Sequence, residues 1–181
     1  MSRIVQKEDP ILRELAKEVP LEDINTEKIK KITTEMASAL EKCEDGVALA
    51  APQIGESLRI FVVSPRAFAV QQDQKSEVDI KSKREADKLI YINPVITRRS
   101  SKKVTLDEGC LSVRNIFGKI KRHEKVSLRA YDENGNKFQR GATGLLSEIF
   151  QHETDHLNGI LFTDSASDLV KVENKQASHV R

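Results

Sequence analysis

Tryptophan is absent from this chain, and aromatic residues together make up only 4% of it. The core must therefore be built mainly on Ile, Leu, Val and Ala, and a stacking platform for single-stranded nucleic acid is disfavoured. Cysteine is as scarce, with Cys43 and Cys110 alone. Two cysteines in 181 residues do not make a disulfide framework, which fits a reduced compartment. No apolar run approaches the ~20 residues that span a bilayer, so no membrane association is expected. The opening MSRIVQKEDP has no apolar stretch and is not rich in Arg and Ser. Neither a secretory signal nor a transit peptide is expected there, and the chain reads as cytoplasmic. Charge is balanced: 30 Lys and Arg against 28 Asp and Glu leave a formal +2, too little to imply nucleic acid by itself.

What is present suits one soluble domain. The chain is 38% hydrophobic and 32% charged. Asp9-Pro10 predicts a short helical start, with Asp9 as cap. Ile29, Ile32, Met36, Ala39, Leu40 and Cys43 recur at three and four, predicting a helix from about Thr26 to Cys43 that Gly46 stops. Ile60 to Val63 and Leu89 to Ile92 read as strands, the second broken by Asn93-Pro94. One or two more strands follow between Val95 and Leu106. Lys125 to Tyr131 alternates and leads into the hairpin turn Asn134-Gly135. From Thr143 to Leu157 the period is helical again, and Gly159 ends it. Residues 66–88 are polar and without period, predicting an exposed loop insertion with a little helix. The expected domain is therefore 1–165, with 166–181 a polar tail, at most a short helix and then disorder.

The second long helix carries the chemistry. His152-Glu153-Thr154-Asp155-His156 is H-E-x-x-H. Residues i and i+4 share a helical face, so two imidazoles can bind one metal ion while Glu153 reaches a water beside it. The bland alternative is a chance pattern on an amphipathic helix, but burying such a cluster without a ligand is costly. A catalytic site usually has a third protein ligand and an open position. In H-E-x-x-H-x-x-G-x-x-H proteins the third is a histidine; here Gly159 fits, but Phe162 stands where that histidine would be. His123 lies in the basic run Lys119 to His123 and reads as solvated. His179 and Glu173 lie in the tail. Cys110, in Glu108-Gly109-Cys110-Leu111-Ser112, remains as a strong thiolate ligand. A lone cysteine after a strand is more often core; beside an incomplete H-E-x-x-H it is better read as the third ligand.

Three blocks together resemble the peptide deformylase family: Gly46 to Gly55 (GVALAAPQIG), Glu108 to Ser112 (EGCLS) and Gln151 to Gly159 (QHETDHLNG). Asp9 to Arg13 resembles the family's N-terminal segment, and the likeness spans roughly residues 4 to 164. It implies an α+β fold of antiparallel sheets surrounding the central H-E-x-x-H helix. It implies removal of the N-formyl group from N-formylated nascent peptides beginning with formylmethionine, and places Cys110, His152 and His156 as metal ligands. Glu153 would move the proton, and the Gln53 amide and Leu111 N–H would hold the oxyanion. Gly46, Val47 and Ala48 would pair with an extended peptide, and Glu108 with Arg122 would form a supporting ion pair. Leu145, Glu148 and Ile149, with Val47, would line the side-chain pocket. The resemblance implies Fe2+, although Zn2+, Ni2+ and Co2+ suit the same ligands, and it allows contact with the ribosome.

Four positions depart from the family pattern: Ala48 replaces a glycine, Arg114 a proline, Phe117 an arginine and Glu148 an apolar residue. These leave the metal ligands intact and open the substrate preference. A related metal-dependent amidase or peptidase with an altered pocket is thus an alternative. A structural zinc protein is another, although it needs a fourth ligand that the sequence does not offer. The basic runs Arg98-Arg99, Lys102-Lys103 and Lys119 to Lys125 read as solvated, without sequence-specific nucleic-acid binding.

Overall fold

The computed structural model of the chain describes residues 3–72 and 89–172. In chain order its main elements are α1 (Glu27–Glu41), β1 (Ala48–Ala50), β2 (Ile60–Val63), α2 (Pro65–Gln72), β3 (Ile90–Arg99), β4 (Lys103–Cys110), β5 (Val113–His123), β6 (Lys125–Tyr131), β7 (Lys137–Thr143), α3 (Gly144–Leu157) and β8 (Ser167–Lys171). Short 3-10 turns include Pro10–Arg13, Ala51–Ile54 and Phe162–Asp164.

Strand alternation sets the layers. All four residues of β2 are buried, which requires cover on both faces. Ile60 and Val62 join Ile29, Ile32, Met36 and Leu40 of α1. Phe61 and Val63 point the other way and join Leu146, Ile149 and Phe150 of α3. The sheet they belong to is five-stranded and antiparallel, in the order β1-β2-β3-β6-β7. Phe61, Phe68, Tyr91, Phe138 and Phe150 gather on its α3 side: Phe61 stacks on Tyr91 at 4.6 Å, and Phe150 meets Tyr91 edge-on at 5.1 Å. A second antiparallel sheet, β4-β5-β8, builds a smaller core of Leu12, Val113, Ile120, Leu161 and Phe162. Helix α3 packs against both sheets, so the helix carrying H-E-x-x-H is central in an α+β fold, as expected.

Local chemistry accounts for the ends. Asp9 accepts a hydrogen bond from Ile11 N at 3.1 Å and so caps the first turn. Arg66 donates to the carbonyl of Glu41, the last residue of α1, and to those of Cys43 and Glu44 just beyond it. At the end of α3, Gly159 adopts φ +73°, and a side chain there would fall 2.6 Å from the Arg13 carbonyl oxygen. Only glycine fits both constraints.

Four expectations need correction. Asn93-Pro94 does not end a strand. β3 runs through it on a bulge, with Asn93 at φ 50° and its amide bonded to both backbone groups of Val19. The segment from residue 66 is not an exposed loop at its start: α2 buries Ala67 and Phe68 in the α3-side core. Two apolar side chains were masked by a polar average; residues 73–88 lie outside the described part. The tail from residue 166 is not a helix. β8 pairs with β5 through Val170–Phe117 and Lys171–Ile116, and a strand held by backbone bonds with every residue exposed leaves no burial pattern to read. Residues 173–181 lie outside the described part. The basic run is not a solvated loop but the end of β5, where Lys119 and Lys121 face out while Ile120 and Arg122 are buried. His123 is half-buried, with Nδ1 2.6 Å from Ser100 O.

Candidate metal centre

Helix α3 places His152 and His156 one turn apart, with ring centroids 4.9 Å from each other. Gln151 fixes the helix against β5. Its amide accepts from His123 N and donates to His123 O, both at 2.9 Å. Cys110 comes from the other sheet, at the end of β4 before the tight Leu111-Ser112 turn. The β4–β5 register shifts between Gly109 and Cys110, which re-aims the thiol. The result puts Cys110 Sγ 3.2 Å from His156 Nε2. The ligand atoms of Cys110, His152 and His156 all lie within 4.8 Å of one another, and among the described residues no fourth ligand joins them.

A buried ion-pair chain holds this geometry. Glu108 accepts from Arg122 Nε at 2.7 Å and Nη2 at 2.9 Å, and its Oε2 lies 3.0 Å from His152 Nδ1. That contact fixes the hydrogen on Nδ1 and leaves Nε2 to face a metal. Arg122 Nη1 also bonds Asp155, between the two histidines of α3. The chain therefore ties β4, β5 and α3 together at the ligands. Asp155 escaped sequence reasoning because its partner depends on the register of β5. Ser112, which accepts from Gln53 Nε2 at 3.1 Å, escaped for the same reason.

The electrostatics favour a cation. Burial alone would push the Cys110 thiol up, but the imidazoles of His156 and His152 pull it well below the usual thiol range. Burial would likewise lower His152, yet Cys110 and Glu108 hold it well above the ordinary imidazole range. A group that traps a proton between a thiolate and imidazoles offers the same field to a metal ion. Burial pushes Glu153 up to about 7, with His152 and His156 pulling it down and Cys110 and Glu108 pushing it up. Glu153 Oε2 and His156 Nδ1 are both buried, and among the described residues neither has a hydrogen-bond partner. A metal ion with water beside it suits this donor set: one soft thiolate, two imidazoles and a carboxylate needing a partner.

A cleft of about 640 Å³ opens onto the centre. Gly46, Val47, Ala48, Gln53, Cys110, Leu111, Leu145, Glu148, Ile149, His152 and Glu153 line it, while His156 lies buried behind. Gln53 is buried, with Oε1 accepting from Ala50 N at 2.8 Å and Nε2 3.6 Å from Cys110 Sγ. Leu111 O accepts from Gln6 Nε2 at 3.2 Å, which pins the turn. Phe117 lies over Gly109, where any Cβ would come 2.7 Å from its ring. No helix among the described residues is long and apolar enough to cross a membrane.

Comparison with known proteins agrees with this arrangement. The family described as "Polypeptide deformylase" matches residues 1–172. The chain is 38% identical over 164 residues to peptide deformylase 1A, chloroplastic/mitochondrial, of Arabidopsis thaliana, covering 91% of this chain and 61% of that protein. It is 34% identical over 171 residues to peptide deformylase 2 of Clostridium acetobutylicum, covering 94% and 99%. Thus it spans about three-fifths of the plant relative and nearly all of the bacterial one. The crystal structure of peptide deformylase from Thermotoga maritima superposes with a TM-score of 0.73 at 33% identity, covering 92% of this chain and 98% of that one. Sequence blocks, fold and metal group converge, and the chain belongs to the polypeptide deformylase family.

Proposed function

We propose that this chain hydrolyses the N-formyl group from the N-terminal formylmethionine of nascent polypeptides, releasing formate. The observation that carries the reading is the grouping of Cys110, His152 and His156 within 4.8 Å, beside a buried Glu153 oxygen with no partner among the described residues. Cys110, His152 and His156 would hold a divalent cation, which would supply Lewis acidity and lower the pKa of water. Glu153 takes the proton from the water that attacks the formyl carbon. It then delivers a proton to the amide nitrogen as the C–N bond breaks, so that formate and a free amine leave. A carboxyl group held up at about 7 by burial is suited to both transfers. Gln53 Nε2 and the Leu111 N–H donate to the developing oxyanion. The Ala50 amide orients Gln53 for this by engaging its oxygen.

β1 is the edge strand of its sheet, so Gly46 to Ala48 can take an extended peptide as an added strand. Val47, Leu145 and Ile149 form an apolar wall for the methionine side chain, with Glu148 set among them. We propose Fe2+ as the native metal; Zn2+, Ni2+ and Co2+ suit the same ligands. A cytoplasmic setting and contact with the ribosome belong to the same reading, tested by fractionation and cosedimentation. One observation, Glu148 in the cleft wall, favours the alternative of a related amidase with a changed pocket. The test uses formyl-Met-Ala-Ser with protein loaded anaerobically with Fe2+. Formate should appear with an equal amount of free amine, disappear on chelation and return with Fe2+. No formate from loaded protein would overturn the reading.

A further inference from the structure

Glu148 is a half-buried carboxylate in the cleft wall formed by Val47, Leu145 and Ile149. Among the described residues it has no hydrogen bond or ion pair. Burial and the nearby Glu108 carboxylate push its carboxyl up to about 7, while His152 and Arg122 act the other way but are engaged elsewhere. Arg122 is bonded by Glu108 and Asp155, and His152 by Glu108 at Nδ1. Its position is set by the helix: Glu148 precedes the ligand His152 by four residues, which is one turn and ~6 Å along α3. That is the reach of the first side chain of a peptide whose formyl group lies at the metal centre. An ionised carboxyl in an apolar wall is costly unless something pairs with it, and no described residue does.

We propose that this cleft accepts, beside formylmethionine, formylated peptides whose first side chain ends in a hydrogen-bond donor or a positive charge, which Glu148 receives. The proposal rests on the deformylase reading and names its substrate class. A purely apolar side chain packs on Val47, Leu145 and Ile149 but leaves the carboxylate unpaired. A side chain with the same carbons and a terminal ammonium packs equally and removes that cost.

The test compares two isosteric peptides, formyl-norleucyl-Ala-Ser and formyl-ornithyl-Ala-Ser, which differ only in a terminal methyl or ammonium. Formate release gives kcat/KM for each with metal-loaded wild type, Glu148→Gln and Glu148→Ile. The ratio of ornithyl to norleucyl should fall by about tenfold or more in Glu148→Ile. It should fall by less in Glu148→Gln, which keeps shape and an acceptor while losing charge. An unchanged ratio across the three proteins, with formate still released, overturns this inference alone. No formate from either peptide with loaded wild type overturns the deformylase reading and the inference with it.

Discussion

Glu108 has a side chain only 1% exposed, held between Arg122 and His152. Burial would raise its carboxyl, but Arg122 and then His152 bring it down to about 2 from the ordinary 4.5. For a carboxylate depressed in the folded state, the stabilisation is full above the unfolded value. It is lost as pH falls from 4.5 toward 2. At neutral pH this amounts to roughly 3 kcal/mol. Glu108→Gln should therefore lower the urea midpoint at pH 6 and flatten the acid decline of the metal-free protein. Equal pH dependence in the two proteins would remove Glu108 as its cause. At this scale the sequence was informative where chemistry is local. H-E-x-x-H declares itself by helical spacing, and Cys110 by the lack of any better third ligand. Asp155 stands inside the same motif yet pairs with Arg122, 33 residues away, and nothing local signals that.

Elements were legible where burial imposes a period. α1, β6 and α3 each show one, β2 shows instead as a short unbroken apolar run, and the expected bounds lie within two or three residues of those observed. β8 was not legible, because its residues are all exposed and only its ladder to β5 holds it. β5 hid behind its charges, although Ile120 and Arg122 alternate inward against Lys119 and Lys121. Gly159 ends α3 for a reason the sequence gives only in part. A glycine stop is expected, but the close approach of the Arg13 carbonyl is tertiary. Gly159→Ala combines a positive φ with a contact of 2.6 Å, so it should destabilise by about 1–3 kcal/mol. Because the N-terminal turn docks there, it should also weaken the anchoring of α3. Thermal denaturation of the metal-free variant checks this; an unchanged Tm would contradict it.

In the whole molecule the centre exists only where layers meet. Cys110 comes from the smaller sheet, Gln53 from the turn after the edge strand of the larger sheet, and His152, Glu153 and His156 from the helix between them. The sequence could name these residues but not the cleft that joins them, since β4 and α3 are 34 residues apart at their nearest ends. Glu153 is the one member of the group assigned a proton rather than a metal bond. The most direct measurement is metal content and formate turnover on the same preparation of Glu153→Gln. The predicted result is full metal occupancy with kcat lowered by about 10²–10⁴. Turnover within a few-fold of wild type, with the metal retained, would contradict the account.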